Sequence, residues 1–403
     1  MPSQSFDMPD VESRKRGGKA SPLLLIFLTV FIDLIGFGIV IPILPLYASS
    51  PTFQASPTAI GWLVGSFSLA QFIFTPLLGS ISDRVGRRPV LLLSVLGTSL
   101  AFLMMGLAWS FPVLLIARIF DGITGGNIGT AQAYIADVTK PEERAKGLGL
   151  IGAAFGLGFI FGPAIGGVLS HHFGLSSPFY FSAALALVNA ILIYFFLPES
   201  LRERNPAQIN LTSHFARVWQ AVRRPVLGHL VLIFFVVTLA FGTYQSTFAL
   251  FANAQYHYTP DQIGYLFAYV GIIGAVVQGG LVGRLVKHVS ERSLMLSGFL
   301  ILIASFFAAP YADSLTFLLI VLGMMSVGGA LASNLLPAQI SRRAAGEEQG
   351  SILGITQSAG SLARFIGPVW GGMLFNAFNP GAPFIACGIL TVIALGLALL
   401  RSE

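Results

Sequence analysis

Four ionisable residues stand inside long apolar runs: Asp33 in FIDLIGF, Arg118 and Asp121 in ARIFDGIT, and Arg364 in SLARFIG. A charge at the centre of a lipid bilayer costs at least ~2.5 kcal/mol unless it is paired or hydrated, so such residues mark a functional site by default. Burial disfavours the charged form of a carboxylate, and a neighbouring guanidinium favours it. A movement that separates the two, or admits water, therefore makes the carboxylate take up or release a proton. Asp33 is the expected principal proton carrier, Asp121 the second, and Arg118 the group that tunes them. A static Arg118–Asp121 pair, i to i+3 on one helix, is the plainer alternative. Arg364 is either a substrate contact or a structural counter-ion. The four charges sum to zero, so a mutually satisfied cluster is also expected. Gln71, Asn127, Gln245, Gln278, Asn334 and Gln357 lie in apolar runs too, where with Arg364 they line a substrate cavity or bond one helix to another. Tyr244, Tyr265, Tyr269 and Phe120 serve either as an aromatic wall or as core. The histidines have no metal-ligand spacing and Cys387 is the one cysteine, so neither a metal site nor an internal disulfide is expected.

The elements that position these residues are membrane spans. Of 403 residues, 55% are hydrophobic and only 10% charged, whereas soluble domains carry about a quarter charged residues. Runs of roughly 20 apolar residues, long enough to cross the hydrocarbon, fall near 23–48, 58–81, 89–109, 112–136, 146–169 and 177–197, then near 226–252, 261–286, 292–309, 315–339, 350–375 and 382–401. The chain thus divides into a polar tail (1–22), a six-helix bundle (23–197), a basic linker (198–225) and a second six-helix bundle (226–401). With the N-terminus inside, 21 of the 23 Lys and Arg lie on the inner side and none in an outer loop. By the positive-inside rule both termini are cytoplasmic. Basic residues scattered this way do not form a nucleic-acid surface, and no loop is long enough for a catalytic domain, so an enzyme is not expected.

The halves are related. Shifted by 205 residues, Gly162-Pro163 and Gly166-Gly167 coincide with Gly367-Pro368 and Gly371-Gly372, and Phe173, Pro178 and Phe179 with Phe378, Pro383 and Phe384. Parallel repeats of this kind place a substrate site between the halves near the midplane.

Three motifs carry a family resemblance. GSISDRVGRRPV (79–90) follows the second span, GLGFIFGPAIGG (156–167) lies in the fifth, and ARIFDGITGGNIG (117–129) in the fourth. Together they resemble the major facilitator superfamily, in its twelve-helix drug/proton antiporter branch. The resemblance implies an all-α membrane protein of two pseudo-symmetric six-helix bundles. It implies a conformational lock made of Gly79, Asp83, Arg84, Gly86, Arg87, Arg88 and Asp137, in which Asp83 faces the start of helix eleven and Arg87 pairs with Asp137. A hinge face of Gly156, Gly162, Pro163, Gly166 and Gly167 is implied as well. Residues 60–170 are similar to tetracycline/proton antiporters, but Phe102, Gly274 and Leu302 stand where that subgroup has ionisable side chains, and only Asp33 is retained. The expected function is proton-coupled efflux of amphipathic or hydrophobic small molecules by alternating access, by a monomer in a bacterial inner membrane. The energy source is the proton gradient, with no cofactor. Transport of a metabolite such as an organic anion, sugar or lipid is the alternative.

Overall fold

In hydrocarbon a backbone finds hydrogen-bond partners only within a helix or a closed barrel. The computed structural model describes residues 21–140, 143–201, 225–342 and 349–400, and these hold helices and no strand. The first half contains α1 (Pro22–Ser49), α2 (Pro57–Val85), α3 (Arg87–Gly106), α4 (Phe111–Thr124), α5 (Asn127–Val138), α6 (Arg144–Phe173) and α7 (Ser177–Phe196). The second contains α8 (Pro225–Tyr256), α9 (Pro260–Val276), α10 (Val282–Leu285), α11 (Glu291–Ala308), α12 (Leu315–Arg342), α13 (Gln349–Ala377) and α14 (Ala382–Leu399). The tail expected over 1–22 and most of the linker expected over 198–225 lie outside the described residues.

Two spans are interrupted where the sequence read as continuous. α4 and α5 form one span broken at Gly125-Gly126, and α9 passes through a π-helical turn, Val277–Leu281, into α10. Both breaks fall on paired glycines, which, proline apart, favour a helix least. Counted through these breaks there are twelve spans among the described residues. Eleven are long and apolar enough to cross a bilayer, and α13, richer in Gly, Ser and Gln, is the twelfth. Leu93, Ile116, Phe195, Leu300 and Ile320 are more than half exposed, an outer surface that suits lipid and not water.

Within the first half α1 lies along α6 and α7, and α3 along α7; within the second, α8 lies along α13 and α14. The halves meet along α2–α13 and α6–α9, and these two seams are copies of each other. A Cβ added to Gly61 on α2 would sit 2.3 Å from the Pro368 carbonyl oxygen on α13, and one added to Gly264 on α9 2.4 Å from the Pro163 carbonyl on α6. The reciprocal pairs repeat as well: a Cβ on Gly372 would lie 2.2 Å from the Pro57 carbonyl oxygen, and one on Gly167 2.7 Å from that of Pro260. The duplication extends to the loops, where the two positive-φ non-glycine residues among those described, Gln54 (φ 48°) and His257 (φ 56°), precede the second helix of each half. Small residues let these backbones approach closely without a hydrophobic force to drive them.

Candidate functional site

The seams close one face of the molecule and leave the other apart. Gly61 and Gly79 on α2 are 18 residues apart, which is five helical turns and about 27 Å along the same side of the helix. Gly61 touches α13, but no described residue comes within 4 Å of a Cβ built on Gly79. Gly167 and Gly149 on α6 have the same spacing, and Gly149 likewise meets nothing within 4 Å. Gln278, Gly279 and Gly280 on the facing helix are exposed. The halves therefore splay toward the face that carries the ends of the described chain. On the closed face, His171 Nδ1 of α6 reaches Asp261 Oδ1 of α9 at 3.0 Å.

The expected hinge residues are part of this packing. Gly162 lies against Gly38 of α1, Gly166 against Ile39 and Ile43, while Pro163 and Gly167 bear on α9. Gly156, at the edge of the splay, has only the Ala275 methyl, at 3.9 Å.

Deep between the helices, Arg118 Nη1 donates to Asp121 Oδ2 at 2.6 Å, and its guanidinium lies over the Phe67 ring at 4.1 Å. The break between α4 and α5 organises the surroundings. Gln71 Nε2 donates to the Gly125 carbonyl at 2.8 Å, so it staples the break, and it borders neither of the two cavities at the junction. Asn127, first residue of α5, brings its side chain to the Asp33 carboxyl. Asp33 and Asp121 are near enough to interact through their charges. The expected four-charge cluster is not formed: Arg364 donates to Ser361 Oγ at 3.2 Å, and among the described residues no carboxylate is within ion-pair distance of it. It lies on α13 against Gly242 of α8.

Two cavities occupy the junction. The smaller, about 50 Å³, is bordered by Phe37 of α1, Phe67 and Ser68 of α2, Arg118, Gln245 of α8 and Arg364. The larger, about 260 Å³, is walled by six aromatic rings, Phe155 and Phe159 of α6, Phe241 and Tyr244 of α8, Phe267 of α9 and Phe306 of α11. Gln245, Gln278 and Ser326 supply polar atoms there, and the buried Tyr244 hydroxyl has no hydrogen-bond partner among the described residues. Gln245, Gln278 and Arg364 thus border these cavities. Asn127 and the exposed Gln357 line neither, and the Asn334 side chain is outside the described residues. Of the aromatic candidates only Tyr244 is a wall. Tyr265 is exposed, Tyr269 donates to the Leu319 carbonyl at 3.2 Å, and Phe120 packs in the core.

On the splayed face, Arg87 gathers a network. Its Nη1 is 2.6 Å from Asp83 Oδ1 and donates to Ser82 Oγ, and its Nε reaches Asp137 Oδ2 at 3.2 Å. The Asp83 side chain is 46% exposed and bonds across the turn to the first residue of α3; the residues just before α13, which the expected lock would bring to Asp83, lie outside the described ones. Arg88 donates to the Tyr194 carbonyl and lies over the Tyr194 ring at 5.9 Å. Arg84 stands in the last turn of α2.

A sequence model described as the Major Facilitator Superfamily matches residues 26–368 and again 230–403. The chain belongs to the major facilitator superfamily. This superfamily member is an integral multi-pass membrane transporter of small molecules. It is 31% identical over 388 residues to multidrug resistance protein 2 of Bacillus subtilis (strain 168), covering 94% of this chain and 95% of that one. It is 30% identical over 349 residues to the class C tetracycline resistance protein of Escherichia coli, covering 86% and 88%. The crystal structure of the human organic anion transporter MFSD10 superposes with a TM-score of 0.71 at 26% identity, covering 93% of this chain and 98% of that one.

One residue of the facilitator's splayed face escaped the motif reading. Glu199, just after α7, accepts from the backbone N–H of Arg87 at 2.9 Å and of Arg88 at 3.1 Å, and also from Ser200 and Leu201. It caps α3 from a distance of more than a hundred residues, and its neighbour Ser200 donates to Asp137 Oδ2 at 3.0 Å. Gly86, with φ 123°, makes the turn that exposes those N–H groups, and a Cβ there would fall 2.4 Å from Glu199 Oε2. Nothing local marks Glu199 except its place in LPES at the end of a span. Losing a helix cap costs ~0.5–2 kcal/mol. Glu199→Ala is accordingly expected to lower the thermal stability of the purified protein by an amount in that range, with Glu199→Gln losing less. An unchanged melting temperature in Glu199→Ala would show that the cap carries no stability.

Proposed function

We propose that the chain exports amphipathic or hydrophobic small molecules in exchange for protons, as a monomer in a bacterial inner membrane with both termini cytoplasmic. The observation that carries this reading is Asp33 within charge-interaction range of the buried Asp121, whose partner Arg118 borders the small cavity that shares Gln245 with an aromatic cavity of about 260 Å³. Aromatic and apolar walls with few polar groups suit ligands of varied shape. A carboxylate whose neighbours change with the conformation exchanges protons with the side it faces. Similarity to proteins named for multidrug and tetracycline resistance supports drugs as the substrate class.

With the termini inside, the splayed face is cytoplasmic and the molecule is open inward. Substrate enters there, and the α2–α13 and α6–α9 seams seal the outside. Asp83, Arg87 and Asp137, with Gly79, Arg84, Gly86 and Arg88 around them, then close the inner face when the seams part. In that reading Asp83 exchanges its bond to Arg87 for the start of α13, where the helix dipole favours an anion.

In inverted vesicles energised with an inward proton gradient, addition of a transported compound is expected to discharge the gradient only when the wild-type protein is present. A compound panel that leaves the gradient intact, while labelled compounds still cross, would replace exchange by uniport. A second reading, transport of organic anions, is favoured by Arg364.

A further inference from the structure

We propose that the small cavity at the junction is an anion subsite, in which Arg364 holds the carboxylate, sulfonate or phosphate end of a substrate whose aromatic body fills the larger cavity. The inference rests on the transport reading and names its substrate class.

An arginine is charged at any physiological pH, and within a membrane protein that charge needs a partner or water. Arg118 has Asp121 at 2.6 Å and the Phe67 ring beneath it. Arg364 has only a neutral hydroxyl, Ser361 Oγ at 3.2 Å, and no carboxylate among the described residues. The fork of a guanidinium matches two oxygens of one carboxylate or phosphate.

The cavity's shape agrees with that role. Its residues include two guanidiniums and no carboxylate; Arg118 is compensated by Asp121, so Arg364 supplies the one uncompensated positive charge that an anion would meet there. At about 50 Å³ it is too small for a whole substrate and large enough for a headgroup. Gln245 borders both cavities, which sets the aromatic chamber and its partnerless Tyr244 hydroxyl next to the headgroup. A molecule with a ring system and one anionic end therefore satisfies three things at once: the unpaired guanidinium, the ring walls and the orphan hydroxyl.

The test is equilibrium binding of 2-naphthoate and of its neutral isostere 2-naphthamide to the purified full-length protein in lipid nanodiscs, with empty nanodiscs subtracted. Wild type is expected to prefer naphthoate by about tenfold or more, the worth of one charge-assisted bond pair. Arg364→Gln should erase that preference, lowering naphthoate binding by about tenfold or more and naphthamide binding far less, and Arg364→Lys should restore part of it. Retained naphthamide binding reports that the variant is folded. Equal binding of the two ligands by wild type overturns the proposal, as does a preference that survives in Arg364→Gln. An equal loss of both ligands in Arg364→Gln also overturns it, because it assigns Arg364 a structural role. None of these results depends on a proton gradient, so failure here leaves the export reading to its own vesicle experiment.

Discussion

Asp33→Asn is expected to end proton-driven transport while leaving the protein folded and able to bind its substrates. The amide keeps the shape of the carboxyl and a partner for Asn127, but it cannot carry a proton. A positioned proton-transfer group commonly supplies 10²–10⁴-fold in rate, so uphill transport should fall by about a hundredfold or more. Downhill equilibration of the same compound should survive, because the splaying of the halves does not pass through Asp33. Asp121→Asn differs in kind. It leaves Arg118 buried without its carboxylate, a loss of ~3–5 kcal/mol, and should be read out as destabilised protein before any transport defect. The comparison is made in proteoliposomes with and without an imposed pH gradient. Uphill transport by Asp33→Asn at the wild-type rate would move the proton to another group.

Gly61→Ala and Gly264→Ala should each push the halves apart on the closed face. Their added methyls would lie 2.3 Å and 2.4 Å from a backbone oxygen of the opposite half, and a backbone oxygen cannot rotate away. Overpacking of this sort costs ~1–3 kcal/mol, which shifts a two-state equilibrium by about 5- to 150-fold. The clash exists only while the seam is closed, so the substitution moves population without unfolding either bundle. Spin labels at Thr52, in the loop after α1, and at Gln255, in the last turn of α8, both toward the closed face, should report a longer distance in both variants. Gly79→Ala adds a methyl to the same side of α2 where nothing lies within 4 Å, and should shift the equilibrium the opposite way, if at all. A common direction for Gly61→Ala and Gly79→Ala would mean that the two ends of α2 do not alternate in contact.

Much of the architecture was legible along the chain because the bilayer leaves few choices. Apolar length marks a span, and the observed helices depart from the expected ones by four residues or fewer at every end, apart from the two breaks. The Gly-Pro-Gly-Gly repeat anticipated the two matched seams, since close helix approach demands small residues at a set spacing. The breaks at Gly125-Gly126 and Val277–Leu281 were missed because glycine pairs inside spans serve equally well as packing surface.

The site was read less completely. Each candidate polar residue has two readings of the same chemistry, and only neighbours choose between them. Gln71 and Gln245 are both amides in apolar helices, yet one bonds the Gly125 carbonyl and the other borders two cavities. Phe155, Phe159, Phe241, Phe267 and Phe306 come from four helices, and only Phe159 falls within a motif, so the chamber they build had no signature in one dimension. Glu199 meets Arg87 across 112 positions.

The sequence by itself determined the span count, the separation of charge to one side, the duplication and the identity of the buried charges, because each follows from what hydrocarbon excludes. The tertiary structure alone decided which face is closed and that Arg364 is left to a cavity, whereas the Arg118–Asp121 pair, i to i+3 on α4, was already open to a local reading. The reason is physical: pairing energies depend on distances between helices, and no local pattern of residues encodes those.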